Sequence, residues 1–399
     1  MRMIARFLLF LYTFVMPWAY SFDLGIPFGN IARISGLLAV AATAFMMLQE
    51  RYAPKLDPIA TCTLAYFLYL SGSYFWTLST ETTSGELRGI FQKMMVVWLI
   101  SLHCDKASDL IKLMRCMVAG TSMLALLTLA AYRSTQVYAD EQLRMAAAGQ
   151  DPNDVAHFLS LGIPLAGYLA VQETSTLYRR LSLVVIAIHL FAILLTGSRG
   201  GLMATAAALT CCVILFYRRA QRKTILAIMM MSPLLLIAYR TIPLPTMTRL
   251  QSIPEQIGNG DLNQRKQIWM AGWEAFRAAP ILGNGAGCFV EAAHTATGDT
   301  AHNTSLALLV NGGLAGFSLA LAILIAAIRA LQRLHGDLRI ALWGALLVCL
   351  LSSLVATMEE NRLAWFLLGL IALAQRVKAR DAHCSTESNQ TRAALMAQG

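Results

Sequence analysis

Apolar residues in this chain gather into long runs, with neither the alternation of a half-buried strand nor the single stripe of a surface helix. They lie near residues 4–20, 31–48, 57–75, 89–104, 109–131 and 157–172, and again near 181–197, 201–217, 224–240, 303–328, 339–357 and 363–376. A bilayer core takes roughly 17–25 apolar residues per spanning helix. The pattern therefore predicts an all-α, polytopic integral membrane protein with about 12 transmembrane helices. One membrane domain over residues 1–380 accounts for nearly all of the chain, and the polar segment 381–399 reads as a disordered cytoplasmic tail.

The connections orient the runs. Arg51 and Lys55, Lys106 and Lys112, Arg179 and Arg180, Arg218 and Arg219, Arg329 and Arg333, and Arg376 and Lys378 all flank the exits of even-numbered runs. Cytoplasmic loops collect Lys and Arg, so both termini are placed in the cytoplasm. Three segments then face outward: about 132–156, the tight turn Thr196–Gly201, and the stretch 241–301 between the ninth and tenth runs. Connections this long are functional or disordered. Ile268, Trp269, Gly272 and Phe276 recur here at helical spacing, which predicts an amphipathic helix, and a glycine-rich turn follows it.

Composition agrees with a bilayer as solvent, because 57% of the residues are hydrophobic and only 14% are charged. The formal charge of +10 reflects the basic loops, and no basic patch with interleaved aromatics points to nucleic acid. The eight cysteines fall mostly inside apolar runs and form no disulfide or zinc pattern. Arg2 and Arg6 before the first run resemble a signal peptide without its small-residue cleavage site, so an uncleaved first helix is expected.

The outward arginines run against the charge trend. Arg144, Arg199, Arg240, Arg249, Arg265 and Arg277 all lie on that side, and guanidinium groups match phosphate oxygens in a bidentate manner. Arg199 is flanked by Gly197, Gly200 and Gly201, which let a ligand approach the backbone, although an arginine here also serves by snorkelling to headgroups. Arg265 opens the predicted loop helix, where a cation opposes the dipole and calls for an anionic partner; Arg277, at its end, has a structural explanation. His302 and Asn303 stand where the long loop enters the tenth run, as an acid–base group and as a cap or hydroxyl binder. The segment Asp151–Asp154 with Asn153 is both an outer-loop candidate and a good helix start. Glu359, Glu360 and Arg362 are expected to pair with one another. No metal motif is present, so metal-independent chemistry without a cofactor is expected.

Four of these segments, in order, resemble the O-antigen ligase/polymerase superfamily. "HNTSLALLVNGGLAG" carries His302, Asn303, Gly313 and Gly316 in the spacing His-Asn, nine residues, Gly-x-x-Gly. "RKQIWMAGWEAFRAAPILGNGAGCF" resembles an Arg-x-x-x-Trp segment followed by Pro-x-x-Gly-x-Gly, "TGSRGG" a Ser-Arg-Gly turn, and "DPNDVA" a Pro-Asn motif. The resemblance implies a multi-pass protein of the bacterial inner membrane with a large helical loop and an active site in the periplasm. It implies a metal-independent glycosyltransferase that moves a glycan from undecaprenyl pyrophosphate to an acceptor hydroxyl, on lipid A–core for a ligase or on another lipid-linked glycan for a polymerase. On that analogy Arg199 and Arg265 neutralise the pyrophosphate and His302 acts on the acceptor hydroxyl. Asn303, Arg144, Asn153, Trp269, Arg277 and Gly313 are then the expected substrate contacts. The compact chain with one dominant outer loop favours a ligase; a transporter would need ionisable residues at mid-membrane, and the runs hold almost none.

Overall fold

The computed structural model describes residues 2–26, 29–50, 56–133, 144–219, 265–295 and 300–396. The predicted ninth run, Arg240, Arg249 and the first part of the 241–301 loop lie outside the described residues. The described chain is helical apart from a two-stranded ribbon, Asp23–Ile26 with Gly29–Asn30. Its helices are α1 (Arg2–Val15), α2 (Ile31–Glu50), α3 (Pro58–Gly72), α4 (Thr80–His103), α5 (Ala107–Arg133), α6 (Pro152–Gln172), α7 (Thr176–Thr196) and α8 (Arg199–Arg218). Beyond the undescribed segment come α9 (Arg265–Ala278), the short α10 (Phe289–Ala293), α11 (Thr304–Gln332), α12 (Gly336–Ser353) and α13 (Arg362–Met396).

Among the described residues seven helices are long and apolar enough to cross a bilayer: α2, α5, α6, α7, α8, α11 and α12. The expected dozen is thus supported for seven. Helix α1 has only 14 residues, about 21 Å at 1.5 Å per residue, short of a ~30 Å core. Helix α13 runs on to Met396, and between Asp381 and that residue the sequence holds no glycine or proline that would end a helix.

Polar caps set where the helices start. Asp57 accepts from the Ala60 amide, Asp151 from the Asn153 and Asp154 amides, Ser198 from the Gly201 amide and Asn303 from the Leu306 amide. Pro58 and Pro152 follow two of these caps, where a missing N–H costs nothing. Helix α6 is the hub, with 89% of its membrane window buried against α5, α7, α8 and α12.

Helix α11 breaks at Gly313, where φ is 60°. The break frees two amides and two carbonyls, and the turn after α9 takes up all four. Leu314 and Ala315 donate to the Pro280 and Ile281 carbonyls at 2.8 and 3.1 Å. Asn284 and Gly285 donate to the Val310 and Asn311 carbonyls, both at 3.0 Å. The Tyr69 hydroxyl donates to the carbonyls of Leu282 and Gly312. Irregular backbone of this kind is tolerated in a membrane protein only where such partners exist. Gly313 is thus a packing residue: a Cβ there would lie 2.3 Å from the Ile281 carbonyl oxygen.

Gly313→Ala should therefore destabilise the fold by about 2 kcal/mol or more, from left-handed strain plus overlap. Gly85→Ala, with nothing within 4 Å of the added carbon, should leave the thermal midpoint in detergent unchanged or slightly higher.

Candidate active site

The helix ends at one face of the bundle bring the predicted residues together. Helix α7 terminates at Gly197 in the left-handed conformation (φ 60°), and Ser198 caps α8. The Ser198 hydroxyl donates to Asn153 Oδ1 at 2.9 Å, and Arg144 Nη1 donates to the same oxygen at 3.2 Å. Asn153 thus ties the Pro-Asn segment to the Ser-Arg-Gly turn and fixes Arg199 beside Arg144. That turn can sit so close to α6 because a glycine leaves the space free: a Cβ on Gly201 would lie 2.3 Å from that of Ala156.

Arg265, at the start of α9, joins this group. Its pKa is lowered, first by burial and then by the charges of Arg199 and Arg144, with Asp151 opposing. Among the described residues no carboxylate is ion-paired with Arg199 or Arg265. Three guanidiniums gathered in this way are complementary to an anion.

His302 stands beside them at the entrance to α11. Its φ is 44°, a left-handed conformation that costs a residue with a side chain roughly 1–3 kcal/mol. Both neighbours hold it there. Trp269 Nε1 donates to the Ala301 carbonyl at 2.9 Å. Asn303 caps α11 and reaches the Leu354 carbonyl with its Nδ2. Trp269 and Asn303, expected as substrate contacts, therefore have their polar groups committed to placing His302. Arg277 is exposed at the far end of α9, roughly 18 Å along the helix from Arg265, and is not part of the cluster.

His302 lines a polar cleft of about 420 Å³ with Tyr20, Asp151, Asn153, Asp154, Glu360 and Asn361. Asp154 accepts from Asn361 Nδ2 at 3.0 Å. Tyr20, Glu360 and Asn361 come from distant connections; Glu360 stands out in the sequence only as an expected ion-pair partner, and no local signal marks Tyr20 or Asn361. Among the described residues no three His, Cys, Asp or Glu are arranged to hold a metal ion.

The expected pairing of Glu359 and Glu360 with Arg362 does not form; Arg362 lies over the Tyr20 ring, 5.2 Å from its centroid. Neither oxygen of the buried Glu359 carboxylate makes a hydrogen bond. The nearby Thr304 hydroxyl is engaged with the Ala356 carbonyl and the Met358 amide. Burial, and then the charge of Glu360, push the Glu359 pKa from 4.5 up to about 8. A raised carboxyl contributes stability below its unfolded pKa and loses it as pH rises through the folded value. The wild-type thermal midpoint should therefore fall between about pH 4.5 and 8, relative to Glu359→Gln, whose profile should lack that component.

No curated protein matches the chain. Residues 183–321 match the family model described as O-antigen ligase. That span runs from α7 into α11 and includes Arg199, Arg265 and His302. Over this span the chain is similar to the O-antigen ligase family.

Proposed function

We propose that this protein is a periplasm-facing glycosyltransferase of the bacterial inner membrane, and that it acts as an O-antigen ligase. It transfers a glycan from undecaprenyl pyrophosphate to a hydroxyl of lipid A–core, without a metal ion. The observation that carries this reading is the convergence of Arg144, Arg199 and Arg265, unrelieved by an ion-paired carboxylate at Arg199 or Arg265, beside the polar cleft of His302.

In this reading the acceptor oxygen attacks the anomeric carbon, and the bond from that carbon to the pyrophosphate oxygen breaks. The bonding electrons leave on the pyrophosphate, whose growing charge Arg199 and Arg265 stabilise. The acceptor proton passes to His302. The leaving group is already activated, so positioning and charge neutralisation supply most of what the reaction needs. An apolar groove of about 250 Å³ between α11, α12 and α13 begins at Thr304, two residues from His302, and suits a polyprenyl chain. Membrane lipid, the lipid-linked donor and the acceptor are the expected partners.

The test is reconstituted transfer with purified protein, lipid-linked glycan and lipid A–core in the presence of EDTA. Wild-type protein should form the glycosylated acceptor. Arg199→Ala, Arg265→Ala and His302→Ala should each lose about a hundredfold or more in rate while keeping the wild-type thermal midpoint, and Arg277→Ala should stay close to wild type. Normal transfer in all three site variants would reject the assignment. Glycan lengthening on the pyrophosphate carrier would make the enzyme a polymerase, and loss of transfer in EDTA would reject metal independence.

A further inference from the structure

A second group of arginines meets an apolar slot on the other side of Tyr20. The slot, about 160 Å³, lies between α1, α2 and α4, and Leu37, Val40, Phe91, Met95 and Leu99 form much of its wall. Arg33 near the start of α2, Arg88 in the outer part of α4 and Arg362 at the start of α13 also line it, and among the described residues no acidic one does. All three belong to the end of the bundle that carries His302. Among the described residues none of the three is in an ion pair. Arg88 Nε donates to the Ser84 carbonyl within its own helix. Arg362 stacks on Tyr20, yet its Nη1 is buried without a hydrogen-bond partner.

A buried guanidinium N–H left unmade is costly. Arg362 is the one that bears this cost, and with the exposed Arg33 and Arg88 beside it the mouth of the apolar slot is complementary to one kind of ligand, an acyl chain that carries a phosphate. We propose that this slot binds an anionic membrane phospholipid, with its chain against α2 and α4 and its phosphate held by Arg33, Arg88 and Arg362. Helix α2 favours such an occupant, because only 28% of its membrane window is buried within the protein. The site is separate from the pyrophosphate cluster: Arg362 and Tyr20 stand between the slot and the His302 cleft, Tyr20 lining the cleft and Arg362 the slot. Binding here does not depend on the transfer chemistry proposed above.

Arg33 and Arg88 are exposed, so replacing them with glutamine spares the core. Delipidated full-length protein is titrated with short-chain phosphatidylglycerol, with phosphatidylcholine of equal chain length, and with inorganic phosphate, and bound lipid is read by native mass spectrometry. Phosphatidylglycerol should be retained in preference to phosphatidylcholine. Its affinity should fall about fivefold for each arginine replaced, with Arg277→Gln as an unaffected control. Equal retention of the two lipids, unchanged affinity in Arg33→Gln/Arg88→Gln, or competition by inorganic phosphate as strong as by phosphatidylglycerol would each overturn the proposal.

Discussion

Apolar contact alone does not hold helices together in a bilayer, because lipid tails are as apolar as leucine; association depends on close backbone approach through small residues. Helix α6 shows that constraint. A Cβ on Gly162 would lie 2.6 Å from His189 of α7, and one on Gly167 2.6 Å from Cys212 of α8. Gly201 of α8 stands equally close to Ala156 of α6, and Gly344 of α12 to Cys211 of α8. These contacts set α6, α7 and α8 at fixed depth relative to one another. The start of α6, with Asn153, is thereby held against the start of α8, with Ser198 and Arg199. Without that depth the hydrogen bonds linking Asn153 to Ser198 and Arg144 would not form.

Charge is distributed unequally between the two ends of the bundle. At the end that carries both described termini five arginines are ion-paired, Arg6 with Asp109, Arg115 with Glu173, Arg219 with Asp337, Arg376 with Asp57 and Arg380 with Asp105, while Arg179, Arg180, Arg218, Arg329, Arg333 and Arg339 form no ion pair among the described residues. At the His302 end Arg199, Arg265, Arg33, Arg88 and Arg362 form no ion pair among the described residues. Solvation accounts for exposed unpaired arginines at either end, but not for the buried Nη1 of Arg362 or the burial of Arg265. A phosphate-bearing ligand does, since it gains from each charge-assisted hydrogen bond.

The helix framework was largely legible, while Arg144, Arg199, Arg265 and His302 were legible as separate candidates and not as one group. Long apolar runs and the caps at Asp151 and Asn303 mark elements whose stabilising partners lie within a few residues. Side-chain roles were less legible. Gly313 and Asn303 belong to the same motif as His302, yet one is a helix break clasped by the Pro280–Gly285 turn and the other a cap. Trp269 holds the Ala301 carbonyl. Motif membership marks a position the fold needs, and distinguishing a support from a contact requires knowing which polar atoms are already engaged.

By itself the sequence determined that the chain has helices apolar enough for a membrane, where most of them run, and that arginines crowd the connections the basic-loop bias predicts to face outward. Those properties are local sums of hydropathy, capping and charge. Tertiary structure alone decided that Arg144, Arg199 and Arg265 converge while Arg277 stays apart, and that Tyr20, Glu360 and Asn361 complete the cleft. It also decided that Arg362 leaves its acidic neighbours for Tyr20 and the slot between α1, α2 and α4. Such proximities follow from how deeply helices interlock and where backbone hydrogen bonds are exchanged between distant segments, and neither is encoded in any single stretch of chain.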